Sequence, residues 1–213
     1  MPASGSPRAT AYRYKDEAVD VLAARAPSLS EALERAAEQG LPCLILDGTL
    51  ISSDRCAGRK TSKKGKEIDT WYSGKAHEPA GNVQALAAPG GVPLWVSDVL
   101  PGSTHDLTAA RELVLPQARP CLGKLPLLAD SGYEGAGTGV HVPVKKPARG
   151  ELDADTKTRN ALLRSRRCQG ERGFALMSQR WRALQRVMVS PTTIGDIAKS
   201  VLVLVQFEHK MIS

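Results

Sequence analysis

Three acidic residues stand where an acid calls for chemistry. Asp47 interrupts the apolar run Leu41-Pro42-Cys43-Leu44-Ile45-Leu46-Asp47-Gly48-Thr49-Leu50-Ile51, bounded by Gly40 and by Ser52-Ser53. Such a run reads as a strand buried on both faces, where a carboxylate is costly unless a cation meets it. Asp130 closes a second apolar run, Leu125-Pro126-Leu127-Leu128-Ala129-Asp130. If the two strands are neighbours, the two acids lie side by side and repel. They do not both stay ionised without a cation, and a divalent, oxygen-loving ion such as Mg²⁺ answers that need. Glu171 is the candidate third ligand, because a helix packing its apolar stripe on the sheet brings it towards the strand ends. Each acid has a plainer alternative. Asp47 before Gly48 also fits a salt-bridged or turn-forming Asp. Glu171, four residues after Arg167, also fits a helical ion pair that contributes about 0.2–0.5 kcal/mol.

The elements that would position these acids follow from pattern. Residues 1 to about 11 read as a disordered start. A helix is expected from Tyr14 to Arg25, ended by Ala26-Pro27. Ser28-Leu29-Ser30-Glu31 is a capping box opening a second helix to about Gln39, with Gly40 after it. Asp54 to Lys66 reads as a polar loop, with Lys60, Lys63, Lys64 and Lys66 close together, and a strand begins near Trp71. Asn82–Ala87 and Val92–Ser97 flank the turn Ala88-Pro89-Gly90-Gly91 and make a hairpin. A helix from about Leu107 to Leu115 takes Asp106 or Thr104 as N-cap. Val140–Val144 reads as a short strand. A basic helix runs from about Asp155 to about Arg186, with Leu163, Gly170, Phe174, Met177, Trp181 and Leu184 on one face and a possible bend at Gly170. After Ser190-Pro191 a last apolar helix runs from about Thr193 to Glu208. The order predicts an α/β fold, a mixed sheet with helices packed on it.

The 213 residues carry a net charge of +7, and the basic excess, mostly Arg, suits phosphate recognition. Cys43, Cys56, Cys121 and Cys168 form no CxxC pair, so neither a zinc site nor a disulfide framework is indicated. His77, His105, His141 and His209 lack metal-ligand spacing. No stretch reads as a signal peptide or a membrane span.

Seven motifs occur in order: Leu46-Asp47-Gly48-Thr49-Leu50-Ile51; Tyr72-Ser73-Gly74-Lys75; Gly81-Asn82-Val83-Gln84; Leu94-Trp95-Val96-Ser97; Pro101-Gly102-Ser103-Thr104-His105-Asp106; Ala129-Asp130-Ser131-Gly132-Tyr133-Glu134-Gly135; and Gly170-Glu171-Arg172. The series resembles the catalytic domain of bacterial transposases of the IS5 insertion-sequence group, within the DDE superfamily endonucleases. The resemblance covers roughly residues 41 to 209 and implies an RNase H-like fold. It implies that Asp47, Asp130 and Glu171 are the catalytic acids and hold Mg²⁺ or Mn²⁺. Asp106 is either a further metal ligand or a helix N-cap, and His105 either touches substrate or packs. Two metal ions would serve phosphodiester hydrolysis at a transposon end and then attack of the freed 3′-hydroxyl on target DNA. Lys145, Lys146, Arg159, Arg164 and Arg166 become phosphate contacts or, alternatively, a solvated face.

The resemblance further implies a homo-oligomer on DNA, no membrane association, and a place in the bacterial cytoplasm with the nucleoid. Residues 1–40 read as a tail and two short helices, without the family's complete helix-turn-helix domain. The chain is thus expected to be a fragment, half of a frameshifted pair or a decayed copy. Ser178 stands where the family commonly has Lys after its last acid. Two other readings remain open: a non-catalytic DNA-binding remnant, and a general RNase H-like nuclease.

Overall fold

A computed structural model describes residues 7–54, 58–61 and 65–211, apart from the side chains of Pro7 and Glu171. Cys56, Lys63 and Lys64 lie outside the described residues. Helix α1 (Pro7–Ala23) starts well before Tyr14, within the stretch expected to be disordered. Proline suits a first helical turn, and α1 is further held where the Ser200 hydroxyl donates to the Val19 carbonyl at 2.8 Å. Helix α2 (Leu29–Glu38) has the expected capping box. The Glu31 N–H donates to Ser28 Oγ at 3.3 Å, and the Ser28 N–H donates to Glu31 Oε2 at 2.7 Å. Ser28→Ala is expected to cost about 1 kcal/mol, lowering the melting temperature by about 2–4 °C in thermal unfolding. An unchanged melting temperature would mean that the cap contributes nothing.

The sheet begins with β1 (Leu44–Ser53). A small antiparallel pair, β2 (Arg59–Thr61) with β3 (Glu67–Asp69), occupies part of the expected polar loop. Apart from Ile68 its residues are polar, so no apolar alternation announced it. Then follow β4 (Tyr72–Ser73), β5 (Glu78–Ala87) and β6 (Pro93–Pro101). The β5–β6 hairpin turns where expected, closed by Ala88 N–H donating to Val92 O at 2.9 Å, and Gly91 there has φ +84°. Helices α3 (Asp106–Leu113) and α4 (Leu115–Ala118) lead to β7 (Leu127–Leu128), and β8 (Val140–His141) follows. The last two are shorter than the runs that predicted them.

Helix α5 (Ala154–Ser178) is continuous through Gly170, without the possible bend. It ends well before Arg186, because the chain turns to form β9 (Arg186–Val187), which pairs with the end of β1. Arg186 fixes that turn by reaching Asp54 at 3.1 Å and Glu78 at 3.9 Å. Helix α6 (Ile194–Glu208) closes the fold as expected. No described helix is long and apolar enough to cross a membrane.

The main sheet runs β4-β5-β1-β7-β8, with β6 on β5 and β9 on β1. Strands β5 and β6 are antiparallel to their neighbours, and β7, β8 and β9 are parallel to theirs. One face packs Leu44, Leu46 and Leu86 with Leu33 of α2, Leu115 of α4 and Tyr133. The other packs Ile51, Val83 and Ala85 with Met177 of α5 and Ile194 and Leu202 of α6. This is the α/β mixed sheet expected from the element order, and the RNase H-like architecture that the resemblance implies. One expectation changes: β1 is buried at Leu44–Leu46, Ile51 and Ser53, but Asp47 to Leu50 between them are half-buried. On the side away from β5, β7 covers only the start of β1 and β9 only its end. The strand is open between them, at Asp47.

Candidate active site

Side chains alternate along β1, and the alternation decides what Asp47 meets. Ile45 faces α5, where a Cβ on Gly170 would lie 2.5 Å from Ile45 Cγ2. Asp47, two residues on, shares that face and a small cavity with Ala85, Gly170, Gly173, Phe174 and Met177. Strand β7 runs parallel to β1 with Leu44 opposite Leu127 and Ile45 opposite Leu128. Carried two places further, that register sets Asp130 level with Asp47 and on the same face. The neighbouring-strand condition posed by the sequence is met.

The electrostatics agree. Burial pushes the Asp47 carboxyl up to about 6 from 3.8. The Arg167 guanidinium and the Gly48 N–H work against that rise, while the negative charges of Asp130 and Asp106 add to it. Asp47 Oδ1 accepts the Gly48 N–H at 3.1 Å, and Asp130 Oδ1 accepts the Gly132 N–H at 2.7 Å. Neither carboxylate is within ion-pair distance of a described basic side chain. Each of the two acids takes one backbone donor, and among the described residues no other hydrogen bond reaches either carboxylate.

Helix α5 carries Glu171 over this face. Gly170 admits Ile45 on one side of Glu171, and on the other a Cβ at Gly173 would lie 2.8 Å from the Gly91 carbonyl oxygen. The helix therefore rests on strand and hairpin turn through glycines that flank the acid. The Glu171 side chain lies outside the described residues, and among those described no three His, Cys, Asp or Glu come close enough to hold a metal. Arg167, one helical turn before Glu171, is half-buried, and its Nε is buried without a hydrogen-bond partner.

Asp106 lies elsewhere. It is the first residue of α3, and the cap is neither Asp106 nor Thr104 but His105, whose Nδ1 accepts the Leu107 N–H at 3.3 Å. Thr104 gives its carbonyl to Asn82 instead, at 3.0 Å. Asp106 Oδ1 accepts from Asn82 Nδ2 at 2.8 Å, and Lys75 Nζ stands 3.7 Å from Oδ2. A Cβ on Gly48 would lie 2.7 Å from Asp106 Oδ1. Gly48 alternates with Asp47, so Asp106 touches β1 on the face opposite to Asp47 and Asp130.

The expected phosphate contacts divide. Arg159 and Arg166 are exposed and lie two helical turns apart on one side of α5, while exposed Arg164 points off that line. Arg159 Nη2 is 3.4 Å from His141 Nδ1. In the loop before α5, Lys145 pairs with Glu134 at 2.7 Å, and Lys146 is exposed. Sequence reasoning gave Arg167 only the role of an ion-pair partner for Glu171, and gave none to the buried trio Asn82, Gln84 and Tyr133. The signal for two of the trio was present: amides at alternate positions of a strand whose other residues are apolar or small.

A family model described as DDE superfamily endonuclease matches residues 46–206. No curated protein and no solved structure matches the chain.

Proposed function

Because the chain belongs to the DDE superfamily endonucleases, a family of DNA-cutting enzymes, we propose that it acts as a transposase of the IS5-group kind. What supports the proposal is that Asp47 of β1 and Asp130, two residues past the neighbouring strand β7, feel each other's charge beside the helix that bears Glu171. The donor set fits a hard divalent cation, since it consists of carboxylate oxygens left with unused lone pairs. In this reading Asp47, Asp130 and Glu171 hold Mg²⁺ or Mn²⁺. When bound, such ions activate the attacking oxygen and neutralise charge on the leaving oxygen of a phosphodiester.

The chain's own residues do the rest. Asp47 would hold the cation as a carboxylate, the form it takes above about pH 6. Arg167 presents a positive charge beside Asp47, where the DNA phosphate approaches. Lys145, Lys146, Arg159, Arg164 and Arg166 hold flanking phosphates and orient the strand. Water attacks first at a transposon end, and the freed 3′-hydroxyl then attacks target DNA, with no covalent protein intermediate. The working form is a homo-oligomer on DNA in the bacterial cytoplasm, associated with the nucleoid. Residues 41–209 form its catalytic domain.

The test incubates the chain with labelled duplexes and Mg²⁺ or Mn²⁺. Cleavage leaving 3′-hydroxyl ends is expected, lost with chelator and in Asp130→Asn, and concentrated at inverted-repeat ends. Cleavage without end preference would replace the transposase reading with a general nuclease. Binding without cleavage would leave a DNA-binding remnant. In the same assay, Arg159→Ala with Arg166→Ala is expected to flatten the slope of log affinity against log salt by roughly 1–2.

A further inference from the structure

On the face of β1 away from Asp47 runs an unbroken file of buried polar side chains. The Tyr133 hydroxyl donates to Gln84 Oε1 at 2.7 Å. Gln84 Nε2 donates to Asn82 Oδ1 at 2.8 Å, and Asn82 Nδ2 donates to Asp106 Oδ1 at 2.8 Å. Tyr133, Gln84 and Asn82 are each 1% exposed or less. A carboxylate only accepts, so Asp106 turns the Asn82 amide nitrogen towards itself. That leaves Asn82 Oδ1 for Gln84 Nε2, and Gln84 Oε1 for a donor. The file therefore has one direction, set by the charge at its Asp106 end, and the Tyr133 hydroxyl must be the donor. Burial and the charges of Asp106, Asp47 and Asp130 push the Tyr133 phenol well above its usual range, so it keeps its proton.

The file passes beneath Gly48. A Cβ there would lie 2.7 Å from Asp106 Oδ1, 2.7 Å from Gln84 Nε2 and 2.9 Å from the Tyr133 hydroxyl. The glycine after the first acid thus makes room for the relay. Its far end is the short turn that holds Asp130: the Tyr133 N–H donates to the Asp130 carbonyl at 3.1 Å, and the Gly132 N–H to Asp130 Oδ1. Anchoring the Tyr133 ring anchors that turn.

We infer that Asp106 is a positioning residue rather than a metal ligand: through Asn82, Gln84 and Tyr133 it fixes the turn that aims the Asp130 carboxylate at Asp47. The inference rests on the metal reading given under Proposed function, and two measurements separate their fates. The first is hydrogen exchange at the Gly132 amide, which reports the Asp130 turn without any metal. The second is the Mn²⁺ dissociation constant of the full chain.

Tyr133→Phe removes one hydroxyl and keeps the ring. Asp106→Ala removes the anchor. Asp106→Asn removes the charge but leaves an oxygen to accept from Asn82. Tyr133→Phe and Asp106→Ala are expected to speed Gly132 exchange relative to amides in the middle of β5. They are expected to weaken Mn²⁺ binding about 10- to 100-fold, as loss of an outer partner of a metal ligand does. Asp106→Asn is expected to stay within about threefold of wild type in both, while Asp130→Asn abolishes Mn²⁺ binding. Mn²⁺ binding lost in Asp106→Asn as fully as in Asp130→Asn would make Asp106 a ligand and overturn the inference. Wild-type Gly132 exchange and Mn²⁺ affinity in Tyr133→Phe would also overturn it. If wild type binds no Mn²⁺, the metal reading falls, and Gly132 exchange alone decides: faster in Tyr133→Phe and Asp106→Ala supports the relay, unchanged refutes it.

Discussion

Asp47→Asn is expected to yield a protein that is inactive and, without metal, more stable than wild type at pH 8. Burial lifts the Asp47 pKa to about 6 in the folded chain, against 3.8 for an ordinary aspartate. A folded pKa above the unfolded one means that the folded state binds the proton more tightly. The penalty is absent below about pH 4, grows as pH rises towards 6, and is fully present above that. Two units correspond to about 3 kcal/mol. Neutralising the side chain removes this cost, and the attraction of Arg167 is already contained in it, so the net gain is about 3 kcal/mol at pH 8. That is about 6–12 °C in melting temperature for a chain of this length. At pH 4 the variant and wild type should melt together. Adding Mg²⁺ should raise the wild-type melting temperature and leave the variant unmoved. A variant that melts lower than wild type at pH 8 would mean that Arg167 and Asp47 form a stabilising ion pair. The site would then be a closed salt bridge and not a place for a cation.

This coupling of cost and use explains how the acids were legible in the sequence. An acid inside Leu44–Ile51 and another closing Leu125–Asp130 break an apolar pattern that folding favours, and such a break is visible in one dimension. What the acids do to each other was conditional on strand order, which the β1–β7 register supplies. Other features left no one-dimensional trace. His105 caps α3 although Thr104 and Asp106, on either side, are better capping types; Asn82 of β5 engages the Asp106 carboxylate and the Thr104 backbone carbonyl. Helix α5 stops after Ser178 with neither Gly nor Pro, because Arg186 is drawn to Asp54 and Glu78, far away in the chain. Gly170 could be read as a hinge or as a point of close approach. In both cases the letter is the same, and only the position of Ile45 distinguishes them. The relay to Tyr133 shows the same limit. Its members were each quoted within a motif, but their hydrogen bonds join β5, α3 and the Asp130 turn, and distance along the chain hides them.

Gly173→Ala is expected to remove far more activity than stability. The added Cβ would lie 2.8 Å from the Gly91 carbonyl oxygen, closer than such atoms approach. That oxygen is backbone, in a turn closed by Ala88 N–H donating to Val92 O and Gly91 N–H donating to Ala88 O. Gly91 has φ +84°, and a Cβ there would itself lie 2.3 Å from the Gln169 carbonyl oxygen. The turn has no slack in either direction, so the helix must move. In stability the two effects nearly offset: the substitution gains about 1 kcal/mol of helix propensity and costs about 1–3 kcal/mol of overpacking. The net loss is then about 0–2 kcal/mol. Glu171 lies two residues away on the same helix and travels with it. A shift of about 1 Å in a proposed metal-holding carboxylate costs about 100-fold in rate. Cleavage and thermal unfolding should be measured together, with Gly123→Ala as control, since a Cβ there meets nothing within 4 Å. A Gly173→Ala chain that cuts at the wild-type rate would show that the glycine contact does not set the place of Glu171. A loss of cleavage with the melting temperature within about 5 °C of wild type would show that the close seating of α5 serves the site.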